Sequence, residues 1–303
     1  MIAGAGRYAP TPSGELHLGN LRTAVLAWLF ARSSDRRFRL RIDDLDPDRS
    51  RDPVGQLATL AALGISHDGA ITYQSRRTTA YAAALDRLSE QGLVYECFCT
   101  RREIAAAPTA PHHPPGAYPG TCRELTPDQA AAKRASGRIP ALRLRAQIAS
   151  MTICDELHGS FTGGVDDLVL RRTDGVHAYN LAVVVDDHDS GVDQVVRGDD
   201  LLASTPRQAY LYELLGYSLP SYVHVPLVVN LQGERLAKRD GPVTPTSLGL
   251  SAEQVLTLLG SSLGLCAADE PVSIGVLLDR FDRNTLRHEP WAFDPTALAG
   301  GME

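Results

Sequence analysis

The sequence predicts an α/β protein with a parallel sheet, because strand-forming and helix-forming segments alternate from its start. Residues 7–9 favour a strand and lead into a loop with proline and glycine at residues 10–14. Apolar residues then recur at helical spacing between residues 21 and 29, and residues 38–43 alternate between apolar and polar side chains. This β-α-β order places the loop at the carboxyl end of the first strand.

The later segments continue the alternation. Proline near the start and glycine just past the end are typical of helices, which we predict at residues 53–64, 78–91 and 206–215. Apolar runs predict strands at residues 93–99, 168–172, 176–185 and 223–229, with a turn at Asp174-Gly175 between the middle two. Beyond Asp240 the apolar spacing indicates helices only. The residues from 100 to 140 are rich in proline and glycine and predict an inserted subdomain.

Composition excludes several classes of protein. The 303 residues are 44% hydrophobic and 22% charged, which is typical of a globular protein rather than a disordered one. No run approaches the roughly 20 apolar residues that span a bilayer, and the start lacks the basic and apolar segments of a signal peptide. We therefore expect a cytoplasmic protein without a membrane partner. Its five cysteines are expected to be thiols or metal ligands rather than disulfides.

The net charge of −6 means that any contact with RNA must be local. Residues 129–145 contain no acid and carry five basic side chains, the first on Lys133 and the last on Arg145. A solvated surface and an RNA contact explain this stretch equally well. The chain has 28 arginines and only two lysines, so the second lysine, Lys238, stands out.

Two loops carry residues suited to phosphate binding. Residues 17–20, His-Leu-Gly-Asn, stand at the predicted start of the first helix, where unpaired N–H groups and the helix dipole attract anions. The second loop, residues 235–241, is basic, ends in glycine and contains Lys238, whose flexible point charge suits the β- and γ-phosphates of ATP. A tight turn and an ordinary surface loop are the alternatives.

These loops resemble the paired signatures of class I aminoacyl-tRNA synthetases in their glutamyl branch, where the first reads HxGH or HxGx and the second is similar to KMSKS. Here they read HLGN and RLAKR. Four blocks of the same family occur in the same order and cover most of the first 240 residues: RYAPTPSGELHLGNLRTA, LRIDDLDPDRS, AYNLAVVVDDHDSGVDQVVRGDDLLASTPRQAYLYELLG and HVPLVVNLQGERLAK. The chain departs from the family at Asn20, usually a second histidine, at Ala237, usually serine, and at Asp43, usually the longer glutamate.

The resemblance implies a Rossmann-like, parallel-sheet class I synthetase catalytic core. Residues 1–92 and 177–231 would form its catalytic domain, and residues 93–176 an inserted subdomain that contains zinc and contacts the acceptor RNA. Residues 232–303 would form the signature loop and a short C-terminal helical region, without an anticodon-binding domain.

The charges of glutamate give an independent view of its pocket. Two carboxylates and one ammonium require about two cations and one anion, which Arg7, Arg197 and Asp43 supply. By resemblance, Asp43 would hold the ammonium and Arg197 a carboxylate. The resemblance also implies that the pocket is lined by Tyr8, Ala9, Pro10, Thr11 and Tyr179. An ion pair of Arg197 with Asp199 or Asp200 is the alternative.

The resemblance implies that the α-carboxylate of glutamate attacks the α-phosphorus of ATP, which gives glutamyl-adenylate and pyrophosphate. His17, Lys238 and Mg²⁺ would neutralise charge, and Gly19 and Asn20 would complete the ATP site. The acidic residues 186–189, Asp-Asp-His-Asp, could suggest a metal site. Four consecutive residues rarely converge on one ion, so a solvated turn is expected there.

The spacing of three cysteines and a tyrosine indicates zinc. Cys97 and Cys99 alternate in a predicted strand and so share a face, while Tyr118 and Cys122 lie four apart beyond the prolines of the insert. Three thiolates plus one further donor complete a structural zinc site. The pattern CxC…YxxxC resembles the zinc-binding pattern of short glutamyl-synthetase-like proteins, which implies one Zn²⁺ per chain on these four residues.

The sequence leaves two alternatives to this zinc assignment. His112 or His113 could supply the fourth ligand instead of the tyrosine, and incidental thiols would bind no metal at all. Cys154 and Cys266 stand apart from the cluster, and the sequence predicts that they pack in apolar cores.

Three functions fit the sequence. The chain could be an RNA-modifying ligase that activates glutamate, a glutamyl-tRNA synthetase that charges the tRNA 3′ end, or an RNA-binding module that has lost catalysis. Only 64 residues follow residue 239, too few for the helical anticodon-binding region of a complete glutamyl synthetase. The length resembles truncated paralogues that activate glutamate without RNA and attach it to queuosine in an anticodon. This resemblance implies ATP, L-glutamate and tRNA(Asp) carrying queuosine as the partners of a monomeric enzyme.

Overall fold

The computed structural model describes residues 4–106, 118–234 and 243–295. Within these ranges the strands are β1 (Ala5–Tyr8), β2 (Arg37–Ile42), β3 (Thr72–Tyr73), β4 (Val94–Cys97), β5 (Ala141–Leu144), β6 (Ser150–Asp155), β7 (Gly159–Gly164), β8 (Val169–Arg171), β9 (Val192–Gly198), β10 (Ser221–Val225), β11 (Val228–Val229) and β12 (Trp291–Ala292). The helices are α1 (Leu18–Arg32), α2 (Val54–Ala62), α3 (Thr78–Glu90), α4 (Arg101–Ala106), α5 (Pro127–Ala135), α6 (Tyr179–Asp189), α7 (Thr205–Leu215), α8 (Ala252–Ser262) and α9 (Ile274–Arg280).

A seven-stranded sheet forms the centre of the fold, in the order β3-β2-β1-β9-β10-β6-β7. Every neighbouring pair in it is parallel except β6 and β7, which form an antiparallel hairpin. A separate three-stranded antiparallel sheet, β4-β5-β8, lies within the predicted insert, and β11 pairs with β12. The predicted α/β fold with a parallel central sheet is therefore confirmed.

The two faces of the central sheet differ in polarity. Tyr8, Val196 and Val223 belong to an apolar core that also contains side chains of α1, α8 and α9. Because side chains alternate along a strand, their neighbours Arg7 and Arg197 point to the opposite face, where they contact α6 and α7. The sheet therefore presents buried arginines to two helices that must supply polar partners.

Buried ion pairs join the sheet to α6. Asp187 of α6 accepts a hydrogen bond from Arg41 Nη1 at 2.5 Å and another from Arg7 Nε at 3.3 Å. Arg41 also donates from Nε to Asp43 Oδ1 at 2.6 Å. Burial alone would raise the pKa of Asp187, but the two guanidinium groups hold that pKa below its ordinary value. The Asp187 carboxylate therefore stays charged and ties β1 and β2 to α6.

Helix α6 corrects two predictions. The sequence predicts a strand at residues 176–185 and a solvated turn at residues 186–189, but α6 occupies Tyr179–Asp189. The strand prediction is wrong because a short apolar run does not distinguish a buried strand from a buried helix. The turn prediction is wrong because Asp186 and Asp187 are only 2% and 1% exposed and pair with arginines distant in sequence.

Most other elements follow the sequence closely. Helices α2, α3 and α7 lie where the proline and glycine signals predict them. Gly216 ends α7 with a φ of +69°, a left-handed conformation that favours glycine. Strand β4 is shorter than the predicted strand at residues 93–99 and ends at Cys97, so Cys99 lies beyond it.

Two predictions about the carboxyl-terminal half need correction. Strand β12 contradicts the prediction of helices only beyond Asp240, because Trp291 and Ala292 pair in parallel with β11. Cys154 is exposed rather than packed in a core, since the hairpin that carries it lies at the edge of the central sheet. Cys266 is partly buried and packs against the core that contains α8, in agreement with the sequence.

The domain boundaries that the sequence suggests stay a prediction. Strands β6 and β7 fall inside the predicted insert at residues 93–176, yet β6 pairs with β10 of the central sheet. Backbone pairing therefore crosses the predicted boundary.

Among the helices of the described ranges, none combines the length and the apolar character that a membrane span requires.

Replacing Asp187 with asparagine should lower the free energy of unfolding by about 3–5 kcal/mol, because Arg7 and Arg41 would lose the buried carboxylate between them. Urea unfolding followed by circular dichroism measures this change. Asp193→Asn is the matched control. Asp193 pairs with Arg36 at 2.8 Å, but its side chain is 48% exposed, so its loss should cost less than about 1 kcal/mol. Equal losses in the two variants would contradict the stabilising role of the buried pairs.

Candidate active site

The carboxyl ends of β1, β2 and β9 and the start of α1 border one cleft of about 1040 Å³. Folds with open parallel sheets bind ligands at this edge, because the carboxyl ends of the strands meet there. The predicted ATP- and glutamate-binding residues within the described ranges all line the cleft: Arg7, Tyr8, Ala9, Pro10, Thr11, His17, Gly19, Asn20, Asp43, Tyr179 and Arg197. Lys238 lies outside the described residues, so its contact with ATP stays a prediction.

The start of α1 forms one wall of this cleft. His17 caps the helix, and its Nδ1 accepts a hydrogen bond from the Asn20 backbone N–H at 3.2 Å. A side chain at Gly19 would begin only 3.1 Å from the His17 ring, so glycine lets the turn stay tight. The partial positive charge of the helix N-terminus lies beside the cleft, where it can attract a phosphate.

Gln56, which no sequence motif marks, holds the loop before α1 in place. Its Nε2 donates to the Thr11 carbonyl at 3.1 Å and to the Gly14 carbonyl at 2.6 Å. The backbone N–H of Asp43 donates to the Pro10 carbonyl at 3.0 Å and ties the same loop to the end of β2. Both partners of Gln56 are more than 40 residues away, so no local pattern could have identified it.

Arg7 and Asp43 line the cleft, and both have protein partners. Arg7 bonds to Asp187 and donates from Nη1 to the Val196 carbonyl at 3.2 Å. Asp43 accepts from Arg41, and its burial raises its pKa. An ammonium on Asp43 would therefore share the carboxylate with Arg41, a residue that the motifs did not single out. Strand alternation could have identified Arg41, because it precedes Asp43 by two positions on one face.

Arg197 is the cationic group of the cleft whose partners are neutral. Its guanidinium donates from Nε to His224 Nε2 at 3.1 Å, from Nη1 to Gln208 Oε1 at 2.7 Å and from Nη2 to Thr205 Oγ1 at 2.8 Å. Among the described residues it has no ion pair, which excludes the alternative of a pair with a neighbouring aspartate. The residue is 5% exposed, and burial lowers its pKa. A buried cation without a counter-charge at a cleft is suited to bind an anionic ligand.

The structure also brings the predicted zinc ligands together. The thiols of Cys97, Cys99 and Cys122 all lie within 4.8 Å of one another, and Cys99 Sγ is 3.5 Å from Cys122 Sγ. Tyr118 Oη is 3.2 Å from Cys97 Sγ and 3.7 Å from Cys99 Sγ. In a tetrahedral site with Zn–S bonds of about 2.3 Å, ligand atoms are separated by about 3.8 Å, so the four residues fit zinc.

The cysteines of this cluster differ in how easily they ionise. Burial raises the pKa of Cys99 to about 11. Burial also opposes ionisation of the Cys122 thiol, but the Phe98 N–H at 3.4 Å and the Tyr118 hydroxyl hold the pKa of Cys122 below its ordinary value. A thiolate is the form that binds metal. The alternative ligands His112 and His113 lie outside the described residues.

The basic stretch at residues 129–145 carries less free charge than its sequence suggests. Arg134, Arg138 and Arg145 pair with Glu96, Glu103 and Glu124, respectively. Arg143 is buried, and its guanidinium lies 3.7 Å from the centre of the Tyr118 ring. These ion pairs favour the interpretation as a solvated surface over an RNA contact.

Comparison with known proteins extends the resemblance along nearly the whole chain. Residues 5–259 match the family "tRNA synthetases class I (E and Q), catalytic domain". A protein named Glutamyl-Q tRNA(Asp) synthetase from Nocardia farcinica is 60% identical over 98% of this chain and 95% of its own length. Another of that name, from Symbiobacterium thermophilum, is 43% identical over 98% of both chains.

The fold agrees with this assignment. The crystal structure of a glutamate tRNA ligase from Elizabethkingia meningosepticum, in complex with its amino acid, superposes with a TM-score of 0.82. It is 23% identical, and the match covers 98% of this chain and 68% of that one. At this identity the likeness supports the fold alone. The chain therefore belongs to the class I aminoacyl-tRNA synthetases, a family of ATP-dependent ligases, in the glutamate and glutamine branch that includes the Glutamyl-Q tRNA(Asp) synthetases.

Proposed function

We propose that this enzyme activates L-glutamate with ATP, without RNA, and transfers the glutamate to queuosine in the anticodon of tRNA(Asp). Arg197 carries this proposal, because it is a buried cation at the cleft whose partners among the described residues are all neutral. The names of the relatives that are 60% and 43% identical support the same acceptor.

The side-chain carboxylate of glutamate would supply the missing counter-charge of Arg197. A guanidinium has five N–H donors, and the described residues accept three of them in the contacts of Arg197. The other two can bind both oxygens of a carboxylate. Glutamine would place an uncharged amide there, including an NH₂ group that donates towards a donor. Selectivity for glutamate over glutamine follows from this mismatch.

The activation step uses residues from both sides of the cleft. An oxygen of the glutamate α-carboxylate attacks the α-phosphorus of ATP, and the bond from that phosphorus to the bridging oxygen breaks and releases pyrophosphate. The start of α1, with His17, Gly19 and Asn20, would hold the phosphates, and Lys238 would contact them from the second signature loop. Mg²⁺ bound with ATP would neutralise part of the phosphate charge. Arg7 and Asp43 would orient the α-carboxylate and the ammonium for attack.

The transfer step needs a hydroxyl as its nucleophile. The cyclopentene diol of queuosine resembles the ribose diol of a terminal adenosine, so a hydroxyl of either can attack the carbonyl carbon of the adenylate. An ester bond forms, the bond from that carbon to the phosphate oxygen breaks, and AMP and the hydroxyl proton are released. An anticodon base in a loop can be splayed into a pocket and recognised by its edges. We propose that the enzyme does this as a cytoplasmic monomer. Charging of the tRNA 3′ end is the alternative that a transfer assay distinguishes.

We also propose that Cys97, Cys99, Tyr118 and Cys122 hold one structural zinc ion. Support comes from the close approach of the four donor atoms. The ion would tie the end of β4 to the segment around Tyr118, because two of its ligands come from each. Its role is structural, since four protein ligands leave no open position for a substrate.

The transfer assay uses ATP, labelled glutamate and tRNA(Asp) that either carries or lacks queuosine. We expect label only on the tRNA that carries queuosine, and no label when labelled glutamine replaces the glutamate. Label on both forms of tRNA(Asp), or on the 3′ end of tRNA(Glu), would favour a glutamyl-tRNA synthetase. No label on any of these RNAs would favour a binding protein that has lost catalysis.

The zinc proposal predicts one zinc per purified chain by elemental analysis. Cys99→Ser should release it, because the cluster would lose one of its thiolate ligands. Cys154→Ser is the matched control, since Cys154 is exposed and lies outside the cluster. It should keep full zinc. A Cys99→Ser protein with zinc at full occupancy would show that these residues do not hold the metal.

A further inference from the structure

Three neighbouring strands each contribute one buried polar side chain to a continuous chain of hydrogen bonds. Arg197 of β9 and His224 of β10 are register partners in parallel strands, so their side chains lie next to each other. The next strand, β6, ends at Asp155, whose Oδ2 is 2.6 Å from His224 Nδ1. The three residues are 5%, 0% and 1% exposed, respectively. The sequence analysis assigns a role only to the first of them, although His224 begins one of the family blocks.

The hydrogen bonds determine where the proton on His224 lies. An arginine Nε–H can only donate, so His224 Nε2, 3.1 Å away, accepts from Arg197, and the Thr205 hydroxyl, 2.9 Å from the same nitrogen, can donate to it as well. The ring is therefore neutral and carries its proton on Nδ1, which donates to Asp155. Burial lowers the pKa of His224 and favours this neutral form, although the Asp155 carboxylate opposes the shift.

Asp155 is itself held by the backbone. Its Oδ1 accepts the N–H groups of Leu157 and His158, each at 3.0 Å. Its Oδ2 accepts the N–H of His224, also at 3.0 Å. Because these donors belong to the backbone, the carboxylate has one defined position, and it can orient the imidazole without moving.

A neutral acceptor orients Arg197 without cancelling its charge. A carboxylate at the position of His224 would form a buried ion pair with Arg197 and remove the positive charge that the cleft offers. Arg7 illustrates this outcome, since Asp187 balances its charge. His224 orients the Arg197 side chain without adding a charge. The carboxylate that orients His224, Asp155, lies one strand further from Arg197.

We infer that His224 is a positioning residue that orients Arg197 towards the side-chain carboxylate of the substrate. Asp155 keeps His224 as its neutral, Nδ1-protonated tautomer. The positive charge of Arg197 therefore remains available to the substrate. This inference rests on the proposed function in one respect, namely that glutamate is the amino acid activated. It adds two residues, His224 and Asp155, that determine specificity without touching the substrate.

The test compares His224→Asn with His224→Gln in glutamate-dependent pyrophosphate exchange. The amide oxygen of glutamine reaches about as far as Nε2 and can still accept from Arg197. Asparagine reaches only as far as Nδ1 and leaves the arginine Nε without an acceptor. We expect His224→Asn to raise the KM for glutamate by about 10- to 100-fold, the range for a lost hydrogen bond to a charged group. The KM for ATP should change less than about twofold, and His224→Gln should stay near wild type.

Three kinetic outcomes would overturn the inference. An unchanged KM for glutamate in His224→Asn, or equal increases in the KM for glutamate and for ATP in both variants, would mean that His224 has a structural role only. If the wild-type enzyme catalyses no glutamate-dependent exchange, the proposed function fails and this inference fails with it.

A second measurement examines the histidine ring in the wild-type protein. Nitrogen-15 NMR of histidine-labelled wild-type protein distinguishes the tautomers of the ring, and His224→Gln identifies its signals by their disappearance. We expect a neutral ring with the proton on Nδ1 and an unprotonated Nε2. A proton on Nε2 at neutral pH, in either the other tautomer or a charged ring, would overturn the inference.

Discussion

The carboxylate of Asp187, buried between Arg7 and Arg41, is the interaction on which the rest of the structure depends. Parallel strands direct these arginines onto one face of the sheet, where an unpaired cation would be costly. Helix α6 can cover that face because Asp187 supplies a charge that both arginines share. The same contact joins β1 and β2, which pair through their backbones, to α6 beside the cleft at their carboxyl ends. Stability of the fold and electrostatics of the site thus share one buried carboxylate.

Arg7 and Arg197 occupy similar positions at the ends of β1 and β9 but differ in electrostatics. Arg7 has an anionic partner in Asp187, whereas the partners of Arg197 among the described residues are a histidine, a glutamine and a threonine. The protein therefore balances one buried charge and leaves the other for a ligand. We propose that this difference, rather than the number of cations, determines which group of the cleft binds the side-chain carboxylate of glutamate.

The sequence predicts the features that depend on short-range patterns. The loop before α1, the spacing of the cysteines and the ends of α2, α3 and α7 could all be predicted, because proline, glycine and motif residues act locally. The roles of Gln56, Asp187 and His224 could not, because their partners lie far away in the chain. The apolar run in α6 was equally compatible with a strand, and only packing against the sheet distinguishes the two.

The most direct test of the account is a crystal structure of the enzyme with a non-hydrolysable analogue of glutamyl-adenylate. The account predicts that both side-chain carboxylate oxygens lie about 2.7–2.9 Å from nitrogens of Arg197, the usual length of a charge-assisted hydrogen bond. It also predicts that Arg197 keeps its bond to His224 in that complex. A side-chain carboxylate bound to Arg7 instead, with Arg197 still contacting only protein groups, would contradict the account.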